Sequence, residues 1–506
     1  MDAPVPVILC ALLAAGALVL PGPRGRAWAM LGALVLSVTV LAWHVADNPA
    51  LDPLTEHPSR LAAAIAGGVV VLVVGALIID RRPWAFPLAA VAALPFRIPI
   101  ESGGTTSNLL VPLYVVIGAG ALAYVVPRLR GQDETIGVPL SEAPEDAAVA
   151  PRQEEHRAGW LERVLALALV LYAVQATYSD DFEHALENVV FFYVPFALLF
   201  VLLGRVRWTT RLAGACLLVL TALALAFAGI GFVEYATRHL LLNPKVIAAN
   251  EFESYFRVNS LFFDPNIYGR FLAVVMVGIT AFVLWTDRVR ESVIATIVLA
   301  VLWAGLVLTF SQSSFVALLV GLAVLGGLRW DARRAASVAA VLLAAGVAFV
   351  ALAPDAVHLD IGDSKSADSA TSGRYDLIKG GLELFEQKPL EGQGSGAFAR
   401  VYRREQKTSS QRAASASHTI PVTVAAEQGV PGLLVYLALL VLAFRRLLRG
   451  VRGALPRMAL AAMFSAVVVH TMMYAAFLED PLTWALLGVG VAFARRPQGP
   501  ESGAPA

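Results

Sequence analysis

The chain has 506 residues, 58% of them hydrophobic and only 15% charged, with a formal net charge of +1 and a mean hydropathy of +0.69. Soluble domains carry about 25% charged and about 45–50% apolar residues, so this composition excludes a soluble fold. Apolar runs that can cross a bilayer core of roughly 30 Å recur from residue 5 to the C-terminus, which favours a helical bundle over a barrel of alternating strands.

The first apolar run, 5–20, has no basic region before it and ends in PGPRGR without a small-residue cleavage pattern. It reads as a first spanning helix rather than a cleaved signal peptide. Further spans are expected at 27–45, 61–79, 84–96, 108–126, 160–177, 185–203, 210–233, 266–285, 292–310, 314–328, 335–353, 421–444, 458–477 and 481–494. The first, the fourth (bracketed by Pro83 and Pro95) and the last are barely long enough. The fold class is therefore all-α: a polytopic helical membrane protein with about 12–15 transmembrane helices and one long extracytoplasmic loop containing short helices.

The expected organisation is N-terminal transmembrane helices (1–127), a cytoplasmic linker rich in Glu, Pro and Ala (128–158), central transmembrane helices (159–353), an extracytoplasmic loop (354–420), C-terminal transmembrane helices (421–496) and a disordered tail (497–506). Cys10 and Cys216 both lie inside apolar runs, so no structural disulfide is expected. Eight basic turns, from PGPRGR to ARRPQ, alternate with turns poor in Arg and Lys and hold 23 of the 39 basic residues. Positive-inside reasoning puts these turns in the cytoplasm and the stretch 355–432 outside, since loops of that length translocate largely regardless of their own charge.

That stretch is the longest polar run set among the spans. A helix is expected from Ser372 as N-cap through Tyr375, Ile378, Leu382 and Phe385, one apolar stripe able to rest on the bundle or the lipid surface, ending at Lys388-Pro389. Arg374 falls in its first turn, against the dipole preference. It is either a snorkelling surface residue or an anion ligand held at the membrane boundary. GQGSGAF follows, either a turn or a backbone cradle for a phosphate. FARVYRREQK then gives a short basic helix with Arg403 and Arg404, either a solvated face or an anion-gathering one. His418 stands before a helix that runs through Glu427 and stops at Gly429. Its imidazole is suited to accepting a proton from a hydroxyl near neutral pH.

A second polar island, RVNSLFFDPNIYGRFL at 257–272, precedes and begins a span. Asp264 and Asn266 are suited to capping the helix that Pro265 starts. Arg270 lies about one turn inside it, where an unpaired charge is costly and faces a partner or a wet cavity. Arg257 adds a cation on the same side. A third island, TFSQSS at 309–314, is explained by hairpin chemistry, and His470 reads as a buried, hydrogen-bonded residue within a span. Guanidinium groups gathered at one membrane surface suit a lipid-linked diphosphate.

The order of R-x-x-S-x-F-F-D-P-N, SGRYDLI, KPLEGQGSGAF and SHT with E-x-G-x-x-G resembles the O-antigen ligase-like superfamily of lipopolysaccharide O-antigen ligases and polysaccharide polymerases, over roughly 257–446. The resemblance implies a metal-independent, cofactor-free, inverting glycosyltransferase in the bacterial inner membrane, acting on its extracytoplasmic side. It further implies an undecaprenyl-diphosphate-linked glycan as donor and a glycan or lipid as acceptor, with the bilayer as medium and no nucleic-acid partner. His418 would be the base or the group that orients the acceptor hydroxyl, Arg374 would bind the diphosphate leaving group with Arg257 a further candidate for it, and Asp264 and Asn266 would shape the cavity. Arg270, Arg403 and Arg404 enter as further diphosphate or glycan contacts on their charge and place in the chain. Two positions depart from the family pattern: Gln312 stands where Arg is common, and Thr419 where Asn often follows the histidine. The reading from another class is a lipid-linked glycan or polysaccharide transporter, in which intramembrane charges would line a path.

Overall fold

The computed structural model describes residues 4–45, 57–102, 105–131, 158–241, 256–330, 374–405, 419–451, 454–474 and 476–494. The chain runs through α1 (Val5–Val19), α2 (Pro23–Val45), α3 (Pro58–Arg81), α4 (Ala85–Ala93), a hairpin of β1 (Ile98–Ser102) and β2 (Thr105–Leu109), α5 (Val111–Leu129) and α6 (Trp160–Gln175). It continues with α7 (Phe182–Glu187), a π turn (Asn188–Tyr193), α8 (Val194–Leu203), α9 (Thr210–Thr237), α10 (Pro265–Trp285), α11 (Val289–Val307) and α12 (Gln312–Arg329). The last third comprises α13 (Arg374–Gln387), α14 (Phe398–Glu405), α15 (Ile420–Leu448), α16 (Leu455–Thr471) and α17 (Pro481–Ala494). The expected span at 335–353 lies outside the described residues.

Ten of these helices or helix runs are long and apolar enough to cross a membrane, and α1, α16 and α17 are shorter apolar helices. The fold is that of a polytopic helical membrane protein. The segment expected to span at 84–96 forms only the nine-residue α4, because Pro95 blocks its extension. The chain then turns into an antiparallel hairpin with Ile98 opposite Leu109, the only β-strands among the described residues.

Burial follows from what each helix faces. α10 is buried on nearly every side, from Pro265 to Ala281, and packs against α9, α11, α12 and α16. In α3 only Ile79 is buried, while Ile65, Val69, Val73 and Leu77 are exposed. An apolar helix so uncovered by protein is covered by lipid. Cys10 and Cys216 are free and buried, as expected.

The residues of α13 that pack on the protein lie beside its apolar stripe rather than on it. Leu377 and Leu384 are buried with Phe398, Val401, Tyr402 and Ala426, whereas Leu382 is 45% exposed. The reason is Gly380: an added Cβ would lie 2.3 Å from the Tyr402 ring. The glycine face therefore lets α14 approach more closely than the leucine face could.

Candidate functional site

The beginning of α10 gathers the first group of polar side chains. Asp264 has extended backbone and caps the helix, its Oδ1 accepting the Asn266 N–H at 2.6 Å, the arrangement that DPN encodes. Asn266 Oδ1 in turn accepts from Ser311 Oγ at 2.9 Å and from Arg257 Nη2 at 3.4 Å. Arg257 also donates through Nε to the Thr309 carbonyl at 3.0 Å. Ser311 continues the chain to Ser313 and Ser314 at 3.2 and 2.7 Å, and Ser313 meets His470 Nε2 at 3.2 Å. The TFSQSS island is thus more than a hairpin turn: its hydroxyls tie α10, α12 and α16 together and orient Asn266 beneath Arg257. His470, fully buried, is the hydrogen-bonded residue the sequence suggested.

Arg270 has a partner. Its Nη2 lies 2.5 Å from Asp480 Oδ2, with the two side chains 1% and 2% exposed, and Nη1 approaches the Ala476 carbonyl at 3.5 Å. Asp480 also caps α17, its Oδ1 accepting from the Leu482 N–H at 2.9 Å. Arg97 lines the same small pocket; burial lowers its pKa, Asp480 offsets that and Arg270 adds to it. Tyr474 sits between this pair and Asp264, and burial, then the Asp264 carboxylate, hold its phenol above the ordinary range. It is a neutral donor at any working pH. Arg270 Nε is buried without a hydrogen-bond partner among the described residues. Leu94, Phe271 and Leu482 are shared with a larger apolar cavity of about 310 Å³ between α9, α10, α16 and α17.

The glycine stretch is a turn closed on the chain's own carboxyl group. Gly392, Gly394 and Gly396 have φ of +73°, +99° and +77°, values open to glycine and costly for other residues. The two oxygens of Glu427 accept from the N–H groups of Gly396 at 2.9 Å and Phe398 at 3.1 Å. Backbone pairing of Gln393 and Gly394 with the carbonyls of Ala426 and Glu427 completes the junction. The backbone donors that a phosphate cradle would need at Gly396 and Phe398 are therefore taken by the chain's own carboxylate. Gln175, Tyr178 and Ser179 clamp the turn from the other side through the carbonyls of Glu391, Gln428 and Ser395. Gly429, at φ +64°, breaks α15 as expected.

The other predicted residues divide. Arg404 pairs with Asp180 at 2.8 Å on an exposed surface, and Arg403 donates to its own helix at Ala399. Exposed pairs of this kind contribute about 0–1 kcal/mol, and they fasten α14 to the turn after α6. Arg374 begins α13, but its side chain, like His418 and the basic Ser-rich run, lies outside the described residues. The structure therefore brings Arg257, Asp264, Asn266 and Arg270 to one end of the bundle and sets Arg403 and Arg404 apart on α14. Sequence reasoning missed Asp480, Arg97, Tyr474 and Glu427. The signal was present: a buried arginine needs a carboxylate, and LEDP at 478–481 places two beside an apolar span.

Residues 295–437 match the family model described as O-Antigen ligase, Wzy_C. The matched stretch covers most of α11, then α12, α13, the glycine turn, α14 and the first part of α15. No curated protein matches the chain.

Proposed function

Taking residues 295–437 as a stretch similar to the O-antigen ligases, we propose that the protein is a membrane glycosyltransferase of the O-antigen ligase or polymerase type. It moves a glycan from an undecaprenyl-diphosphate donor to an acceptor hydroxyl at the extracytoplasmic face. The observation that carries this reading is the convergence of Arg257, Asn266, Arg97 and the Arg270–Asp480 pair at the end of the bundle where α15 begins, two residues after His418. Cations at that boundary suit a diphosphate, and the buried Arg270 Nε offers it a donor. The apolar cavity that shares Leu94, Phe271 and Leu482 with the arginine pocket is suited to the donor's isoprenoid chain.

In the proposed step the acceptor oxygen forms a bond to the anomeric carbon from the side opposite the diphosphate, and the anomeric C–O bond to phosphate breaks with inversion. The hydroxyl proton passes to the imidazole of His418, and the charge that develops on the leaving diphosphate is met by Arg374 and Arg257. Diphosphate is already a competent leaving group, so positioning and charge stabilisation supply most of the acceleration. The Glu427–glycine junction acts on the scaffold: it joins α13, which begins with Arg374, to α15, which follows His418.

The test is replacement of His418 and, separately, Arg374 by Ala, with surface glycan as the readout. Each variant is expected to reach the membrane folded and to lose transfer; full glycan transfer by either would sink the assignment. A deletion strain separates the two subclasses. A single-repeat glycan on its acceptor indicates a polymerase, and accumulated lipid-linked polymer indicates a ligase.

A further inference from the structure

The strand of chain at 476–480 has two faces. Asp480 turns to the arginine pocket, while its neighbour Glu479 turns to a separate crevice walled by Tyr172, Tyr193, Ile420, Gln428 and Tyr436. Tyr193 donates to Glu479 Oε1 at 3.1 Å, and Asn188 fixes Tyr172 by donating to its hydroxyl at 2.8 Å. The two phenol rings meet edge to face at 4.7 Å. Tyr193 is presented by the π turn Asn188–Tyr193, a distortion that often accompanies function.

Two observations ask for a ligand. Tyr436 is 6% exposed, and its hydroxyl has no hydrogen-bond partner among the described residues, an unfavourable state that a bound hydroxyl would relieve. The crevice holds about 50 Å³, room for about four water-sized groups, so it admits one edge of a sugar ring rather than a whole ring. Its chemistry is a carboxylate acceptor, an amide that both donates and accepts, phenol hydroxyls and aromatic faces. That set suits vicinal hydroxyls and includes no cation to hold a phosphate. The crevice also follows α15 from Ile420 past the Gly429 break to Leu439, into the apolar part of the helix, so a ligand carried on a lipid chain can reach it sideways.

We propose that this crevice binds the hydroxyl-bearing edge of an uncharged sugar carried on a membrane-embedded chain. That this sugar belongs to the acceptor rests on the transferase reading above; the binding does not. With donor diphosphate on the Asp480 side and acceptor sugar on the Glu479 side, the two substrates would flank the start of α15.

The test uses the full chain in phospholipid nanodiscs and an alkyl glucoside with a photoreactive diazirine in its alkyl chain. Crosslinks are expected in peptides spanning 424–439 and 477–482, competed by octyl glucoside and not by inorganic pyrophosphate. Tyr436→Phe and Glu479→Gln should each weaken labelling by about tenfold, one hydrogen bond's worth. Because the Tyr436 hydroxyl has no protein partner to lose, Tyr436→Phe should leave the melting temperature unchanged or higher, which separates lost binding from lost folding. Labelling spread over lipid-facing helices such as α3, absent altogether, or unchanged in both variants overturns the proposal. If crosslinking holds while the His418→Ala variant transfers normally, the transferase reading falls and the sugar site stands.

Discussion

Asp480 and Glu427 are both carboxylates buried at the same end of the bundle, and they are compensated by different means. Glu427 is held by backbone N–H groups of a glycine turn, so its partners belong to the scaffold and cannot leave. Asp480 is held by the Arg270 guanidinium, a partner whose Nε is buried and has no hydrogen-bond partner among the described residues. The first arrangement fixes geometry. The second keeps a cation in place without exhausting its hydrogen-bonding capacity, which is what a site for a transient anion requires. The difference separates the architecture of the proposed site from its working charges, although both lie among residues of the same polar end.

Mutations should break the two arrangements differently. Asp480→Ala strands Arg270 as an uncompensated buried charge and is expected to cost about 3–5 kcal/mol, read as a large drop in melting temperature together with lost transfer. The double variant Arg270→Met, Asp480→Leu should recover most of that stability, because apolar residues of similar volume replace such pairs well, and yet remain inactive. Recovery of transfer in the double variant would show the pair to be structural only. Glu427→Gln keeps one acceptor oxygen but turns an NH₂ toward a buried N–H. It should cost about 1–3 kcal/mol, with transfer lost in proportion to loosening of the glycine turn as seen by hydrogen exchange at 392–398.

Arg257 tests the charges without the architecture. It is half-buried and bonded to Thr309 and Asn266, so Arg257→Ala should lower transfer by about 10–100-fold, the worth of one charge-assisted hydrogen bond at about 1.36 kcal/mol per tenfold. The melting temperature should move little. The smallest effect concerns Glu479, which burial raises from the ordinary value of 4.5. A carboxyl with a raised folded pKa contributes stability that is fully present below 4.5 and is lost as pH rises through its folded pKa. Glu479→Gln should therefore flatten the fall of melting temperature with pH above 4.5, and an unchanged slope would rule out this burial effect.

Periodicity and turn chemistry made the helical membrane fold legible. DPN announced the cap on α10, Gly429 announced the break in α15, and the lone Arg270 inside an apolar run announced a buried partner. The identity of that partner was not legible, because Asp480 is about two hundred residues away in the chain and only packing joins them. The role of GQGSGAF was hidden for the same reason: a glycine turn whose N–H groups meet oxygens looks alike in sequence whether the oxygens belong to a phosphate or to Glu427. The protein-facing side of α13 was not legible because hydrophobic periodicity counts side chains, whereas here a missing side chain, at Gly380, admits Tyr402.

The most direct test of the account is a structure of the protein in nanodiscs with a non-hydrolysable undecaprenyl-diphosphate sugar analogue. The account predicts diphosphate density within hydrogen-bond reach of Arg257 and Arg374, the lipid chain entering the cavity beside Phe271 and Leu482, and His418 on the sugar side. Diphosphate bound instead at the opposite end of the bundle, or Arg374 and His418 opening into separate cavities, would contradict it.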